Sequence, residues 1–441
     1  MDQTTALRTT GAAPEHKDAE TREDDHERPP FTFDPSQWER LARDAMPTNA
    51  WGYAYGNGGT GTTCSRNLAA FDRWAILSRR LRPSRKDEQG QECFSDTSTK
   101  VLGQELACPF ALAPVGVQTI FHQEGELATA RAAASETVPF ILSTVGSMSI
   151  EDVAEASGPQ GTRWFQLYWL GREHKDITAS LLRRAKVAGY TTLFVTLDTF
   201  AVGWRPSDLD NGYDPFGYAD CVGTAIGLTD PVFQAKFMGK QELHGDGQVD
   251  SNCKDEDHED PGYPHESAQR RRGLGHAARE WEKIAFPGHS LAWSDIAFLQ
   301  EHWDGPIVLK GIQTVADAEM CVEAGVQGIV VSNHGGRHQD GGASSLGVLP
   351  GIARAVGHRL DIFFDSGVRC GADVLIALAL GAKCVLIGRP YVYGLALAGE
   401  DGVRHVVRAM MGDLVRNMHL AGIRNIGEIH REMVVREDEL F

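Results

Sequence analysis

The sequence predicts a (β/α)8 barrel, and three observations carry that prediction. There are eight short apolar runs, helix-like stretches between most of them, and a polar or glycine-rich end to every run. The runs are PFALAPVG (109–116), PFILST (139–144), RWFQLYW (163–169), TTLFVTLD (191–198), PIVLKG (306–311), GIVVSN (328–333), DIFFDSG (361–367) and CVLIGRP (384–390). Each is nearly continuous in apolar residues, as parallel strands buried on both faces are. Residues 124–136, 150–156, 175–188, 316–324 and 372–379 instead space their apolar positions three and four apart, which is helical spacing. Strands alternating with helices make a parallel sheet. A count of eight favours closure into a barrel over an open, doubly wound sheet.

The remaining segments fall around this unit. Residues 1–30 are polar, end in Pro29-Pro30 and read as a disordered acidic tail. Residues 31–100 read as an N-terminal segment packing on the barrel, helical from Pro35 to about Ala45 and then glycine-rich in GYAYGNGGTGTT (52–63). The barrel is expected over 101–430, and a short C-terminal tail over 431–441. After the fourth strand comes a polar, turn-rich stretch, 239–275, too long for an ordinary loop and therefore an insertion or a mobile lid.

Composition narrows the function classes. The 441 residues hold 43 Lys and Arg against 60 Asp and Glu, a net charge of −17, which argues against nucleic acid or anionic membrane as partner. The segments 1–30 and 241–261 account for 11 of those excess negative charges, so the rest of the surface is only mildly acidic. The eight cysteines form no Cys-x-x-Cys and no zinc spacing, so no metal is expected. No apolar run approaches the ~20 residues that span a bilayer, and no secretory leader is visible. A cytoplasmic protein in a reducing compartment is the expectation.

In a barrel, the C-terminal strand ends surround one mouth, where active sites lie. Here they bring Pro114, Val115 and Gly116; Ser143; Gln166 and Tyr168; Thr196 and Asp198; Lys310; Ser332 and His334; Asp365 and Gly367; Gly388 and Arg389. One polar strand end is commonly a turn or a cap, whereas eight together point to a site. The seventh and eighth ends, DSGVRCGAD (365–373) and IGRP (387–390), carry glycines, Arg369 and Arg389 at the usual phosphate corner. Ser143, Gln166 and Thr196 suit the edge of a polar heterocycle, and Lys310 suits the electron-rich edge of a reduced flavin. No Walker lysine or magnesium-binding carboxylate cluster is present, so flavin mononucleotide (FMN) is the expected cofactor.

The sixth strand ends in SNHGGRHQD (332–340). His334 suits general base chemistry near neutral pH. Arg337, and Arg205 after the fourth strand, offer planar forks for a carboxylate. Either Asp198 holds His334 in its useful tautomer, or Arg337 pairs with Asp340 as a purely structural bridge.

SNHGGR (332–337), GRP (388–390), DSGVR (365–369), QLY (166–168), APVG (113–116) and TLD (196–198) together resemble the FMN-dependent 2-hydroxy-acid oxidases and dehydrogenases, over roughly residues 35 to 425. The resemblance implies that His334 is the base and that Asp198 supports it. It implies that Arg205 and Arg337 hold the substrate carboxylate, that Tyr53 and Tyr168 contact the substrate, and that Lys310 lies beside the flavin. Pro114, Val115, Gly116, Ser143, Gln166, Thr196 and Ser332 would hold the ring, and Asp365, Gly367, Arg369, Gly388 and Arg389 the ribityl chain and phosphate. The activity implied is oxidation of a lactate-like L-2-hydroxy acid with O2 as acceptor, in a homo-oligomer of four or more subunits. DSG, GWRPSDLD and DPVFQAKF (230–237) are similar to the lactate 2-monooxygenase branch, in which the 2-oxo acid is oxidatively decarboxylated. The alternatives are a dehydrogenase using a quinone or cytochrome, or a peroxide-releasing oxidase of a larger acid. Gly116 stands where several lactate and glycolate oxidases carry alanine, and the missing methyl is expected to leave room near the ring, either for a bulkier 2-substituent or with an effect on how long product stays bound. His338 stands where glutamine is usual.

Overall fold

The computed structural model describes residues 28–216, 221–238 and 268–440, with backbone alone for 268–274. Most of the expected tail and residues 239–267 of the expected insertion lie outside the described residues. Eight parallel strands close into a barrel: β1 Phe110–Leu112, β2 Phe140–Ser143, β3 Arg163–Tyr168, β4 Thr192–Thr196, β5 Ile307–Ile312, β6 Gly328–Val331, β7 Asp361–Phe364 and β8 Cys384–Ile387. Each pairs with its sequence neighbour, and β8 closes on β1 with Ile387 beside Leu112. The predicted (β/α)8 barrel is therefore the fold.

The eight apolar runs become strands because both faces of each are covered. Outward, Leu142, Phe165, Leu193, Leu309, Ile329 and Phe364 join the core beneath the helices. Inward, Ala111, Ile141, Trp164, Phe194, Val308, Val330, Phe363 and Leu386 form a separate cluster filling the barrel. Side chains two residues apart share a strand face. The next inward layer is thus Ala113, Ser143, Gln166, Thr196, Lys310, Ser332, Asp365 and Gly388. Seven of these eight strand ends are the polar or glycine positions marked in the sequence. Below the apolar layer, a hairpin of 99–101 with 104–106 inserts Val101 and Leu106 and closes the barrel floor.

Between strands, helices start where a side chain satisfies the first free N–H groups. Ser149 caps Ile150–Ser157, Thr314 caps Val315–Glu323 and Ser344 caps Ser345–Val356. Two segments differ from expectation. The start of the glycine-rich stretch belongs to a helix, Thr48–Tyr55, because Gly52 lets it pack close to Asn211, where a Cβ would lie 2.7 Å from the amide. Residues 268–275 belong to the helix Ala268–Ala285 rather than to a turn-rich loop. Among the described residues no helix is long and apolar enough to cross a membrane.

Candidate active site

The mouth of the barrel opens into a cleft with about 1080 Å³ of empty space, solvent-open mouth included. Tyr53, Pro114, Val115, Gly116, Tyr168, Arg205, Lys310, His334, Arg337, Asp365, Gly367, Arg369, Gly388 and Arg389 all line it. Ser143, Gln166, Thr196, Asp198 and Ser332 do not; they lie just behind its wall. There, Ser143 donates to Gln166 Oε1 at 3.0 Å, and Gln166 Nε2 donates to Thr196 Oγ1 at 2.9 Å, all three buried.

The sixth strand end shows why a histidine and an arginine flank two glycines. His334, Gly335 and Gly336 have φ of 57°, 66° and 75°, three left-handed residues in succession. That run folds the chain back, so His334 and Arg337 both face the cleft. Glycine is required at 336 for a second reason: a Cβ there would lie 2.5 Å from the Cys64 backbone nitrogen of helix Thr62–Ala69. A histidine at positive φ is strained and needs surrounding support. Its own N–H donates to Ser332 Oγ at 3.0 Å, and the next N–H donates to Ser366 Oγ at 3.0 Å. Ser366 itself has φ 86° and donates to Asp365 Oδ1.

His334 Nδ1 lies 2.8 Å from Asp198 Oδ1. Of the two arrangements open in the sequence, this is the one the structure contains. Asp340 instead accepts from Thr60 and Thr63, tying the glycine-rich segment to the β6 tip. Arg337 donates to the carbonyls of Ala54 and Gly56 and lies 5.0 Å from the Tyr53 ring centroid; Arg205 lies 5.8 Å from the same ring. Burial, then the charge of Arg205, push the Arg337 guanidinium below its ordinary range, and an anion bound between the two would oppose that shift.

Lys310 faces the mouth by strand alternation from Val308, and just past it the register with β6 shifts between Lys310 and Ile312, where Gly311 has φ 109°. The Lys310 Nζ donates to Ser332 Oγ at 2.9 Å and lies 3.3 Å from Asp365 and 3.8 Å from Asp198. Burial disfavours the Lys310 charge, but the two carboxylates outweigh burial and raise its pKa. Burial likewise opposes the Asp198 charge, and Lys310 and His334 together overcome it and hold the carboxyl well below the usual range. Burial lowers His334 despite Asp198, so the imidazole is uncharged at neutral pH and has a nitrogen lone pair to accept a proton.

The expectation for Gly116 is corrected. A Cβ there would lie 2.5 Å from the Val145 carbonyl oxygen, so the missing methyl accommodates the backbone after β2 and leaves no extra room for substrate. Three participants carried no signal of their own in the sequence: Thr199, Ser366 and the aromatic wall of Phe121, Phe216 and Phe286. The left-handed backbone that aims Ser366 at the Gly335 N–H is set by tertiary contacts.

The cleft fits FMN. At the β7–β8 corner a Cβ on Gly388 would meet nothing closer than Ala113 at 3.9 Å, so that glycine opens the corner. The helices Gly371–Ala379 and Arg389–Leu420 both start there; Asp373 and Asp413 take the Cys370 and Ala372 N–H groups of the first, so the positive end of the second, with Arg369 and Arg389, is what faces an anion. Asp198 Oδ2 is buried without a hydrogen-bond partner, and Lys310 is a buried cation beside it. Arg389 already donates to the carbonyls of Ala54, Tyr55 and Gly335 and to Asn57 Oδ1, so its guanidinium also braces the wall.

Residues 42–436 match the FMN-dependent dehydrogenase family. The chain is 50% identical to an FMN-dependent alpha-hydroxy acid dehydrogenase of Schizosaccharomyces pombe, over 93% of each chain. It is 35% identical to an L-lactate oxidase of Lysinibacillus sphaericus, over 93% of this chain and 94% of that one. The crystal structure of a mandelate oxidase superposes with a TM-score of 0.73 at 32% identity, covering 91% of this chain and 98% of the other. With this barrel and this cleft, the chain belongs to the FMN-dependent dehydrogenase family and is an FMN-dependent 2-hydroxy-acid oxidoreductase.

Proposed function

We propose that the protein oxidises an L-2-hydroxy acid to the 2-oxo acid with O2 as the final acceptor. The observation that carries this reading is the Asp198–His334 pair at 2.8 Å, set on the same cleft wall as Arg205 and Arg337. The substrate carboxylate docks on the two guanidiniums, both of which lie near the Tyr53 ring, and Tyr168 is a further hydroxyl lining the same cleft. His334 Nδ1–H donates to Asp198, which leaves Nε2 free to take the substrate proton. The resulting imidazolium is stabilised by the Asp198 carboxylate. FMN, when bound, accepts the two electrons. Lys310 supplies fixed positive charge to that cofactor. Pro114 to Gly116, Ser143, Gln166, Thr196 and Ser332 would hold its ring, and Asp365, Gly367, Arg369, Gly388 and Arg389 its ribityl phosphate. A division into a 31–100 flank and a 101–430 barrel suits this reading, because Tyr53 and the carbonyls that orient Arg337 come from the flank.

The first substrate to test is L-lactate, mixed anaerobically with the oxidised holoenzyme while the flavin absorbance is followed. Rapid bleaching is expected, slowed by at least ~100-fold in His334→Gln, the lower end of a positioned acid–base group's contribution. A variant that bleaches at the parental rate would remove His334 from this role. In air, acetate, carbon dioxide and water as products support the monooxygenase branch; pyruvate with peroxide supports a simple oxidase. Slow reoxidation in air but rapid reoxidation by a quinone supports the dehydrogenase alternative. Larger acids come next, because Phe121, Phe216 and Phe286 give the cleft an apolar wall and similar structures include mandelate oxidase.

A further inference from the structure

His338 lies one residue beyond Arg337 and is not among the cleft-lining residues, yet it is bonded into the active-site network. Its Nδ1 accepts from the Gly203 backbone N–H at 3.1 Å. That bond assigns the tautomer: the ring proton sits on Nε2. Thr199 Oγ1 is 2.9 Å from that Nε2, so the imidazole donates and the threonine accepts. The hydroxyl then has one proton and two neighbours for it, Asp198 Oδ1 at 2.9 Å and His334 Nδ1 at 3.0 Å. The two imidazole rings stand edge to face, 4.3 Å between centroids.

Among these five groups one arrangement gives each of the four protons an acceptor, with Arg205 Nη2, 3.4 Å from His338 Nε2, left as a neighbour that does not donate to the ring. Gly203 N–H points to His338 Nδ1, His338 Nε2–H to Thr199, Thr199 O–H to Asp198, and His334 Nδ1–H to Asp198. Were the threonine proton turned to His334 instead, that ring would need its own proton on Nε2, and its lone pair would point away from the cleft.

We propose that His338 and Thr199 are positioning residues that fix the tautomer of His334: by donating to Thr199, His338 leaves the threonine proton to Asp198 and keeps His334 Nε2 free to accept. The inference rests on reading His334 as the base. It requires His338 to stay neutral, because an imidazolium would lie against His334, Arg205 (Nη2 at 3.4 Å) and Arg337, with Asp198 as the one opposing charge. Space at the site is tight: a Cβ on Gly203 would lie 2.6 Å from the His338 Cα, and one on Gly58 would lie 2.5 Å from its carbonyl oxygen. The backbone that carries the ring is thus held between the Gly58 and Gly203 segments.

The test is magic-angle-spinning NMR of resting holoenzyme with isotope-labelled imidazole nitrogens, the His334 signal identified by its loss in His334→Gln. The parent is expected to show a protonated Nδ1 and a bare Nε2 on His334. His338→Leu is expected to add the opposite tautomer and slow flavin reduction about tenfold, well short of the loss of the base itself. His338→Gln, with one acceptor and one donor on its amide, is expected to restore the parental tautomer. Thr199→Val combined with His338→Leu is expected to be no slower than Thr199→Val alone, because the two act through one bond. An unchanged His334 tautomer in His338→Leu, at full flavin content, overturns the proposal, and so do losses that multiply in the double variant. The NMR needs no substrate, so this result is separate from the one that decides whether His334 is the base.

Discussion

The two inward layers of the barrel are two residues apart on the same strands and have opposite chemistry. In the lower layer Trp164, Phe194 and Phe363 meet at centroid distances of 5.2 to 5.9 Å and exclude water entirely. In the upper layer Lys310, Asp365, Ser332 and Gln166 occupy the same strand face and are held by hydrogen bonds and charge. Burial of each large apolar side chain below stabilises the fold by ~1.5–3 kcal/mol. The charged layer above does the reverse, since taking ions out of water costs more than a lone pair returns. The lower layer is thus a rigid base on which an expensive constellation can be held in place.

That contrast predicts where each kind of damage appears. Phe363→Ala should produce the largest change in stability, about 3–5 kcal/mol by chemical denaturation. Its rate of flavin reduction per bound flavin should stay near the parent's; a collapse of that rate in folded enzyme would mean the layers are not separable. Arg337→Met should act the other way, raising the KM for the acid by about 10- to 100-fold, as loss of a charge-assisted hydrogen bond of ~1.5–3 kcal/mol implies. Retained KM with normal flavin content would place the carboxylate elsewhere.

The smallest effect should be one of acidity. Burial first, then His334 and Arg205, push His338 far below its ordinary 6.5, against the opposing pull of Asp198. On unfolding the ring regains its ordinary value, so below 6.5 the unfolded chain binds more protons and stability falls as pH falls. Thermal melts should show Tm declining from about pH 6.5 to about pH 5, with a shallower decline in His338→Gln. His334, also lowered, contributes with the same sign, so the slope should be reduced rather than abolished.

Much of the fold was legible because a strand buried on both faces has to be continuously apolar, and its first inward residue past the core has to be polar where a mouth opens. Ser143, Gln166, Thr196, Lys310, Ser332 and Asp365 follow from that alternation. The helix Thr48–Tyr55 was not legible, because Gly52 weakens any local helical signal and the reason for that glycine is Asn211, far along the chain. The reading of Gly116 failed for the same cause: which way an absent Cβ points is set by Val145.

The sequence by itself determined the barrel, its cofactor class and the residue types at the mouth, since strand alternation and backbone chirality act over a few residues. Only the tertiary structure decided the pairings. Asp198 with His334, Thr199 with His338, and Ser366 with Gly335 join residues 31 to 139 positions apart. Two of those contacts depend on left-handed backbone at His334 and Ser366, a strained conformation that the surrounding hydrogen bonds impose and that nothing local favours.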